Sequence, residues 1–389
     1  MKKSIRVLFV LVLSSFIFLS SCSNYISSDV SSLELDLSPL ELPDMIPSNQ
    51  SVNIAYGGGM CEAEGFIYYI AVSGESDKNR VIARVKPDGT EKSIVSSEYS
   101  NIRNLAADSD CLYFVSTNFA SSITEESEEC IYALPLSGGK EKVLCKVKGC
   151  HVFRVQAYAG RVYWEESKGP YVPGRGDNQY RIVSIKGDGT DVKILTETSK
   201  PFFNFLVCDN GIYYSKETTK GSTWGGAKDN IFYMDLNGKN ATKKTRGPVG
   251  HIDELFWDQD TIYFLAHSAG FEQHFYDSFF RLNKNGSSSV LLEEVGYYPQ
   301  DYAINAFCGI SAGVVYHFDF DQDDETFHTM NLFSYDIASK KTMLITTEDM
   351  VNPPKLQLKS IQGKLIEDGR ADGMYILGND VFFQPWELP

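Results

Sequence analysis

The sequence predicts an all-β protein, a β-propeller of four-stranded antiparallel blades, and three recurring features predict it. Short β-branched and aromatic runs return at intervals: Ile67-Tyr68-Tyr69, Leu112-Tyr113-Phe114, Val162-Tyr163-Trp164, Ile212-Tyr213-Tyr214, Ile262-Tyr263-Phe264, Val315-Tyr316 and Val381-Phe382-Phe383. The central tyrosines of the middle repeats, Tyr113, Tyr163, Tyr213 and Tyr263, fall 50 residues apart. Such a period signals a propeller or solenoid. A strand, a turn and another strand follow each run at a fixed offset, and one further strand precedes it.

Taken in order, the first strand of a repeat reads at residues 102–106, 152–157, 202–207, 252–257 and 302–306, and the aromatic run is the second. The third and fourth flank Asp88-Gly89, Ser137-Gly138, Asp188-Gly189, Asn237-Gly238, Asn285-Gly286 and Ala338-Ser339. Asn-Gly and Asp-Gly suit tight hairpins because the turn needs positive φ, which glycine and asparagine tolerate. Four strands per period make a blade, whereas β-helices and leucine-rich solenoids use shorter periods. The alternating β-branched and aromatic character excludes helical repeats. Six complete repeats lie between about residues 52 and 350, and residues 374–377 and 381–384 read as the first two strands of a seventh. A segment around residues 30–45 would supply its outer strands by joining the chain ends, so seven blades are slightly favoured over six.

Ahead of the repeats, Met1-Lys2-Lys3-Ser4-Ile5-Arg6 leads into an almost unbroken apolar run over residues 7–20, the pattern of an export signal. The run is shorter than the roughly 20 apolar residues a spanning helix needs. Leu19-Ser20-Ser21-Cys22 resembles the lipobox of bacterial lipoproteins. The resemblance implies cleavage before Cys22, lipidation of Cys22 with palmitate among its acyl chains, and residence in the bacterial cell envelope as a membrane-anchored, extracytoplasmic lipoprotein. An ordinary secretory signal containing a cysteine is the alternative. Acyl chains worth about 0.8 kcal/mol per buried methylene would hold the protein durably. The chain thus divides into a signal peptide (1–21), a lipidated N-terminus and flexible tether rich in Ser, Pro, Leu and Asp (22–50), and the propeller (51–389).

The formal charge is −15, with 36 Lys and Arg against 51 Asp and Glu; loss of Lys2, Lys3 and Arg6 with the signal makes it 33 − 51 = −18. Such acidity repels phosphate backbones and excludes nucleic acid as an expected partner. Of the 8 cysteines, the seven beyond Cys22 show no CxxC pair and no metal-ligand spacing. If Ser137-Gly138 is a two-residue turn, Cys130 and Cys145 oppose each other across the hairpin. They are then a candidate disulfide, with two buried thiols as the alternative.

Gly160-Arg161-Val162-Tyr163-Trp164-Glu165, followed by Arg181-Ile182-Val183-Ser184-Ile185 and Asp188-Gly189-Thr190, resembles a YWTD-type repeat of the low-density-lipoprotein-receptor propellers. It is more similar still to uncharacterised bacterial propellers that share this likeness, over about residues 52–349. The Asp of YWTD is missing, with Val115, Glu165, Ser215 and Leu265 after the aromatic pair instead. That departure puts the receptor-type bonding between blades in question. The resemblance implies a binding platform without naming its ligand.

In a propeller, the loops from the second to the third strand and from the fourth to the next first strand surround one mouth of the channel. The former are long here and carry Tyr171, Arg175, Trp224, His274 and Tyr276, and exposed aromatics beside Arg or His suit protein and sugar recognition. The alternative is that they fold back over blade edges. The first strand holds a polar residue in register, Asn104, Arg154, Asn204, Glu254 and Asn305, as a channel lining or a ligand site would. Asp319, Asp321 and Asp323 alternate along an extended loop as in a Ca²⁺ sheath, although Asp324 and Met330 stand where an EF-hand loop has Gly and Glu. The default is a solvated acidic loop, and no other cofactor is expected.

No nucleophile elbow, HExxH or phosphate loop is present, which points away from an enzyme. The expected function is a lipid-anchored extracytoplasmic binding or scaffold protein that presents a loop face to an envelope protein, peptide or glycan. The alternative is a carbohydrate-active or other hydrolytic propeller with carboxylates at the channel mouth.

Overall fold

The computed structural model describes residues 58–73, 79–117, 128–168, 179–198, 204–208, 211–219, 228–247, 249–259, 261–267, 276–297, 308–320 and 329–349, with four further strands between 357 and 383. All regular structure among these residues is strand, and among them no helix is long and apolar enough to cross a membrane. The signal-like segment, Cys22 and the tether lie outside the described residues.

The first blade is β1 (Met60–Ala63), β2 (Phe66–Val72), β3 (Arg80–Val85) and β4 (Ser93–Ile94); the second is β5 (Ile102–Ala107), β6 (Cys111–Thr117), β7 (Glu128–Pro135) and β8 (Lys142–Lys148). The third is β9 (Cys150–Tyr158), β10 (Arg161–Lys168), β11 (Gln179–Lys186) and β12 (Lys193–Thr198); the fourth is β13 (Phe205–Val207), β14 (Ile212–Thr219), β15 (Lys228–Met234) and β16 (Thr242–Lys243). The fifth is β17 (His251–Asp258), β18 (Thr261–His267), β19 (Tyr276–Leu282) and β20 (Ser288–Tyr297); the sixth is β21 (Cys308–Ser311), β22 (Val314–Phe320), β23 (Thr329–Asp336) and β24 (Lys341–Asp349). Each is a four-stranded sheet whose strands pair in chain order.

Among the described residues six sheets have the predicted blade order, and the last four-stranded sheet is not built as the expected seventh blade. The count of seven relied on an N-terminal segment completing the last sheet. Instead the C-terminal strands β25 (Gln357–Ser360), β26 (Leu365–Glu367), β27 (Met374–Leu377) and β28 (Asp380–Phe383) pair among themselves in the order β26-β25-β28-β27. β28 meets β25 where the donated strand was expected, and β27 lies against β21 and β1.

The core sits between blades. Successive side chains of a strand point to opposite faces, so a strand covered on both sides is apolar throughout. Tyr68, Ile70 and Ile82 of the first blade pack against Ile102, Leu112, Phe114 and Leu134 of the second. The second blade's other face, Tyr113, Val115 and Ile131, meets Val152, Val162 and Trp164 of the third. Trp164 and Tyr113 are each 1% exposed, which is why the aromatic run recurs: it is the double-sided middle of each of the first five blades.

The turn glycines adopt positive φ, +84° at Gly89, +88° at Gly189 and +78° at Gly238. The geometry is a three-residue loop, with Gly189 N–H donating to Lys186 O and Lys186 N–H to Thr190 O, a type I turn closed by a left-handed glycine. The proposed disulfide fails here. Near the turn the register is as expected, with Tyr132 opposite Val143, but a bulge then shifts it. Cys130 comes to oppose Lys146 and Cys145 opposes Ile131, which sends the two thiols to opposite faces, and both are free.

Candidate functional site

Of the polar positions in register along the inner strands, the structure brings three together. Arg154 sits in a bulge of β9 with φ +43°, and Asn104 occupies the equivalent bulge of β5 with φ +56°. Left-handed backbone at a non-glycine residue is strained and clusters at functional sites. From the bulge the Arg154 guanidinium reaches across a blade: Nη2 donates to Glu254 Oε1 at 3.1 Å. Its Nη1 lies 3.7 Å from Glu165 Oε2. Asn204, 1% exposed, donates through Nδ2 to the other oxygen of Glu254. Three successive blades thus contribute to one network, while Arg154 and Glu254 keep 20% and 13% of their side chains exposed.

Glu165 was missed as a site residue. Its signal was present as a charge directly after the aromatic pair, where Val115, Ser215 and Leu265 stand in other repeats. In the fold its side chain is only 3% exposed. Two carboxylates consequently share one guanidinium. Burial raises the Glu254 pKa to about 7 against the pull of Arg154 and the Asn204 hydrogen bond, with Asp253 adding to the rise. The cluster can hold or release a proton near neutrality and can offer a cation, a carboxyl and an amide to a polar ligand.

A second set of polar residues joins blades where the YWTD aspartate is absent. Glu129 of β7, 2% exposed, accepts from Val152 N–H at 2.7 Å and from Arg103 Nη2 at 2.5 Å. His151 Nδ1 lies 2.9 Å from its other oxygen. One hundred residues on, Asp229 of β15 accepts from Ile252 N–H at 2.8 Å with His251 Nδ1 at 3.4 Å. Gln156 donates to Phe205 O and accepts from Val207 N–H, and Asp258 accepts from the N–H groups of Ala312 and Gly313. Inter-blade bonding is therefore present, carried by residues other than those of the receptor pattern. Sequence alone did not pair His151 with Glu129 or His251 with Asp229, because each carboxylate is in the preceding blade. His317 stacks on Phe333, and burial pushes its pKa down to about 4, so its ring is neutral at pH 7.

Tyr171, Arg175, Trp224 and His274 lie outside the described residues, as do Asn305, Asp321, Asp323 and the side chains of Tyr276 and Asp319. Among the described residues no group of three or more His, Cys, Asp or Glu is placed to hold a metal ion.

No protein-family model matches the chain, and no curated protein matches it. Solved structures match in fold. A mutant of puromycin hydrolase complexed with PGG aligns at a TM-score of 0.50 and 12% identity over 79% of this chain and 50% of that one. An oligogalacturonate lyase in complex with manganese aligns at 0.45 and 14% over 74% and 75%. TolB from Acinetobacter baumannii aligns at 0.46 and 13% over 75% and 66%. The chain spans half the length of the puromycin hydrolase, and the likeness at this identity concerns the fold alone.

Proposed function

We propose that this protein is a lipid-anchored, extracytoplasmic binding protein that recognises a polar envelope ligand, a protein, peptide or glycan, at the channel of its propeller. The observation that carries the reading is the convergence of Arg154, Asn204 and Glu254 from three successive blades, with the two charged members partly exposed. Rigid inner strands hold such a constellation more firmly than loops do. The lipobox-like Leu19-Ser20-Ser21-Cys22 supports the anchor.

Screening the lipid-free protein against glycans and envelope proteins tests the binding site. Arg154→Ala is expected to weaken a ligand found in the screen at least tenfold, as loss of a charge-assisted hydrogen bond would. An unchanged affinity would put the site elsewhere. For the anchor, Cys22→Ala is expected to abolish metabolic labelling with palmitate, and persistent labelling would refute it.

One observation favours a second reading, a hydrolytic propeller: Glu254, with a pKa of about 7, has the protonation behaviour of a general acid, and Glu165 lies across Arg154 from it. Turnover of a bound glycan that disappears in Glu254→Gln while binding persists would select this reading over binding alone.

A further inference from the structure

We infer that the groove between the first and second blades binds a small carboxylic acid with an apolar body. It lies at the end of the blades that carries the turns between third and fourth strands, away from the loops between second and third strands. Its interior, about 260 Å³, falls just below the roughly 300–1,000 Å³ typical of small-molecule sites. Leu112, Leu134 and Leu136 supply apolar walls, and Ile94 at its rim is 66% exposed.

The repeat explains why the groove is open here. In the third blade the turn glycine, Gly189, comes so close to the preceding blade that a Cβ on it would stand 3.4 Å from Leu144 O. In the fourth blade Gly238 is closer still, with a Cβ position 2.5 Å from Leu195 O. The corresponding Gly138 of the second blade, φ +95°, has nothing within 4 Å of that position. The partner that would fill the space is the outer strand of the first blade, and β4 has 2 residues where β8 has 7 and β12 has 6.

A hydroxyl without a hydrogen-bond partner and an arginine without a carboxylate partner face this opening. The Tyr68 side chain is buried, at 2% exposure, and its hydroxyl has no hydrogen-bond partner. In the second blade the matching hydroxyl, Tyr113, donates to Asp108 Oδ2 at 2.9 Å, five residues earlier in the chain. The position five residues before Tyr68 is Ala63, so this blade has the donor without the acceptor. A buried donor without an acceptor is costly. Arg84 is the second group. Its Nε donates to Ser93 Oγ at 3.2 Å and its guanidinium lies 4.5 Å from the centre of the Phe66 ring. These contacts fix the guanidinium plane, and the terminal nitrogens have no carboxylate partner among the described residues. In a chain of net charge −15, an arginine left without an acid beside an apolar cavity favours an incoming carboxylate.

The test is ligand-observed NMR on the full chain in detergent, with phenylacetate, cyclohexanecarboxylate and hexanoate as probes and their amides as controls. A peptide ending in phenylalanine distinguishes a chain terminus from a free acid as the source of the carboxylate. At least one free acid is expected to bind, and its amide at least tenfold more weakly. Tyr68→Phe is expected to reduce acid binding about five- to tenfold, and Arg84→Gln to erase the preference for acid over amide. The unliganded Tyr68→Phe protein should melt no lower than the wild type, because the hydroxyl it loses is unpaired. Failure of all three acids, affinity unchanged in both variants, preference for the peptide over every free acid, or a clearly lowered melting temperature of unliganded Tyr68→Phe would overturn the proposal.

Discussion

Replacing Glu129 with alanine is expected to destabilise the propeller by about 3–5 kcal/mol, the cost of breaking a buried ion pair by removing one member. Glu129 serves Arg103, His151 and the Val152 N–H at once. Its loss strands a largely buried guanidinium and a buried backbone donor at the joint between the second and third blades. Glu129→Gln keeps an acceptor for the backbone but no charge for Arg103, so an intermediate loss is expected. Burial alone would raise the Glu129 pKa, yet the His151 hydrogen bond and the Arg103 charge outweigh it and hold the carboxyl below its usual range. A carboxyl depressed in the folded state stabilises above its unfolded pKa and ceases to do so as pH falls through the folded value. The gap between wild type and Glu129→Ala in urea unfolding should therefore narrow in acid. A loss below about 1 kcal/mol at pH 7, typical of an exposed pair, would show that the joint does not depend on this residue.

Glu254→Gln is expected to do the opposite, stabilising the protein by about 2–3 kcal/mol at pH 8. Here burial raises the pKa from 4.5 to about 7 in spite of Arg154. Between those values the folded state keeps a proton that the unfolded chain releases. The contribution to stability is therefore complete below about pH 4.5 and is lost as pH rises through 7. Glutamine is uncharged at every pH, while Glu165 remains beside Arg154. The variant should match the wild type at pH 4.5 and exceed it at pH 8, as followed by denaturation midpoints. A difference independent of pH would exclude titration of Glu254 as its cause.

These two glutamates also mark how far the sequence could be read. Both sit in strands whose existence was legible, since the aromatic run and the turn glycine repeat with a period near 50 residues and a stacked blade buries its middle strands on both faces. Glu254 was legible as a site candidate because it shares an inner-strand register with Arg154 and Asn204. That it bonds to both was not legible, because 100 and 50 residues separate the partners and only ring curvature brings the inner strands together. Glu129 carried no signal at all. It looks like any acid at a strand start until the next blade places Val152 N–H and His151 against it.

The sequence by itself determined the all-β class, the four-strand repeat and the turn positions, because strand periodicity and positive-φ glycines are local properties of a few residues. The tertiary structure alone decided the blade count, the fate of Cys130 and Cys145, and the partners of Arg154. A bulge shifts a register by one residue and flips a side chain to the other face, and strand order among distant segments depends on which edges meet. Neither leaves a mark in the local sequence.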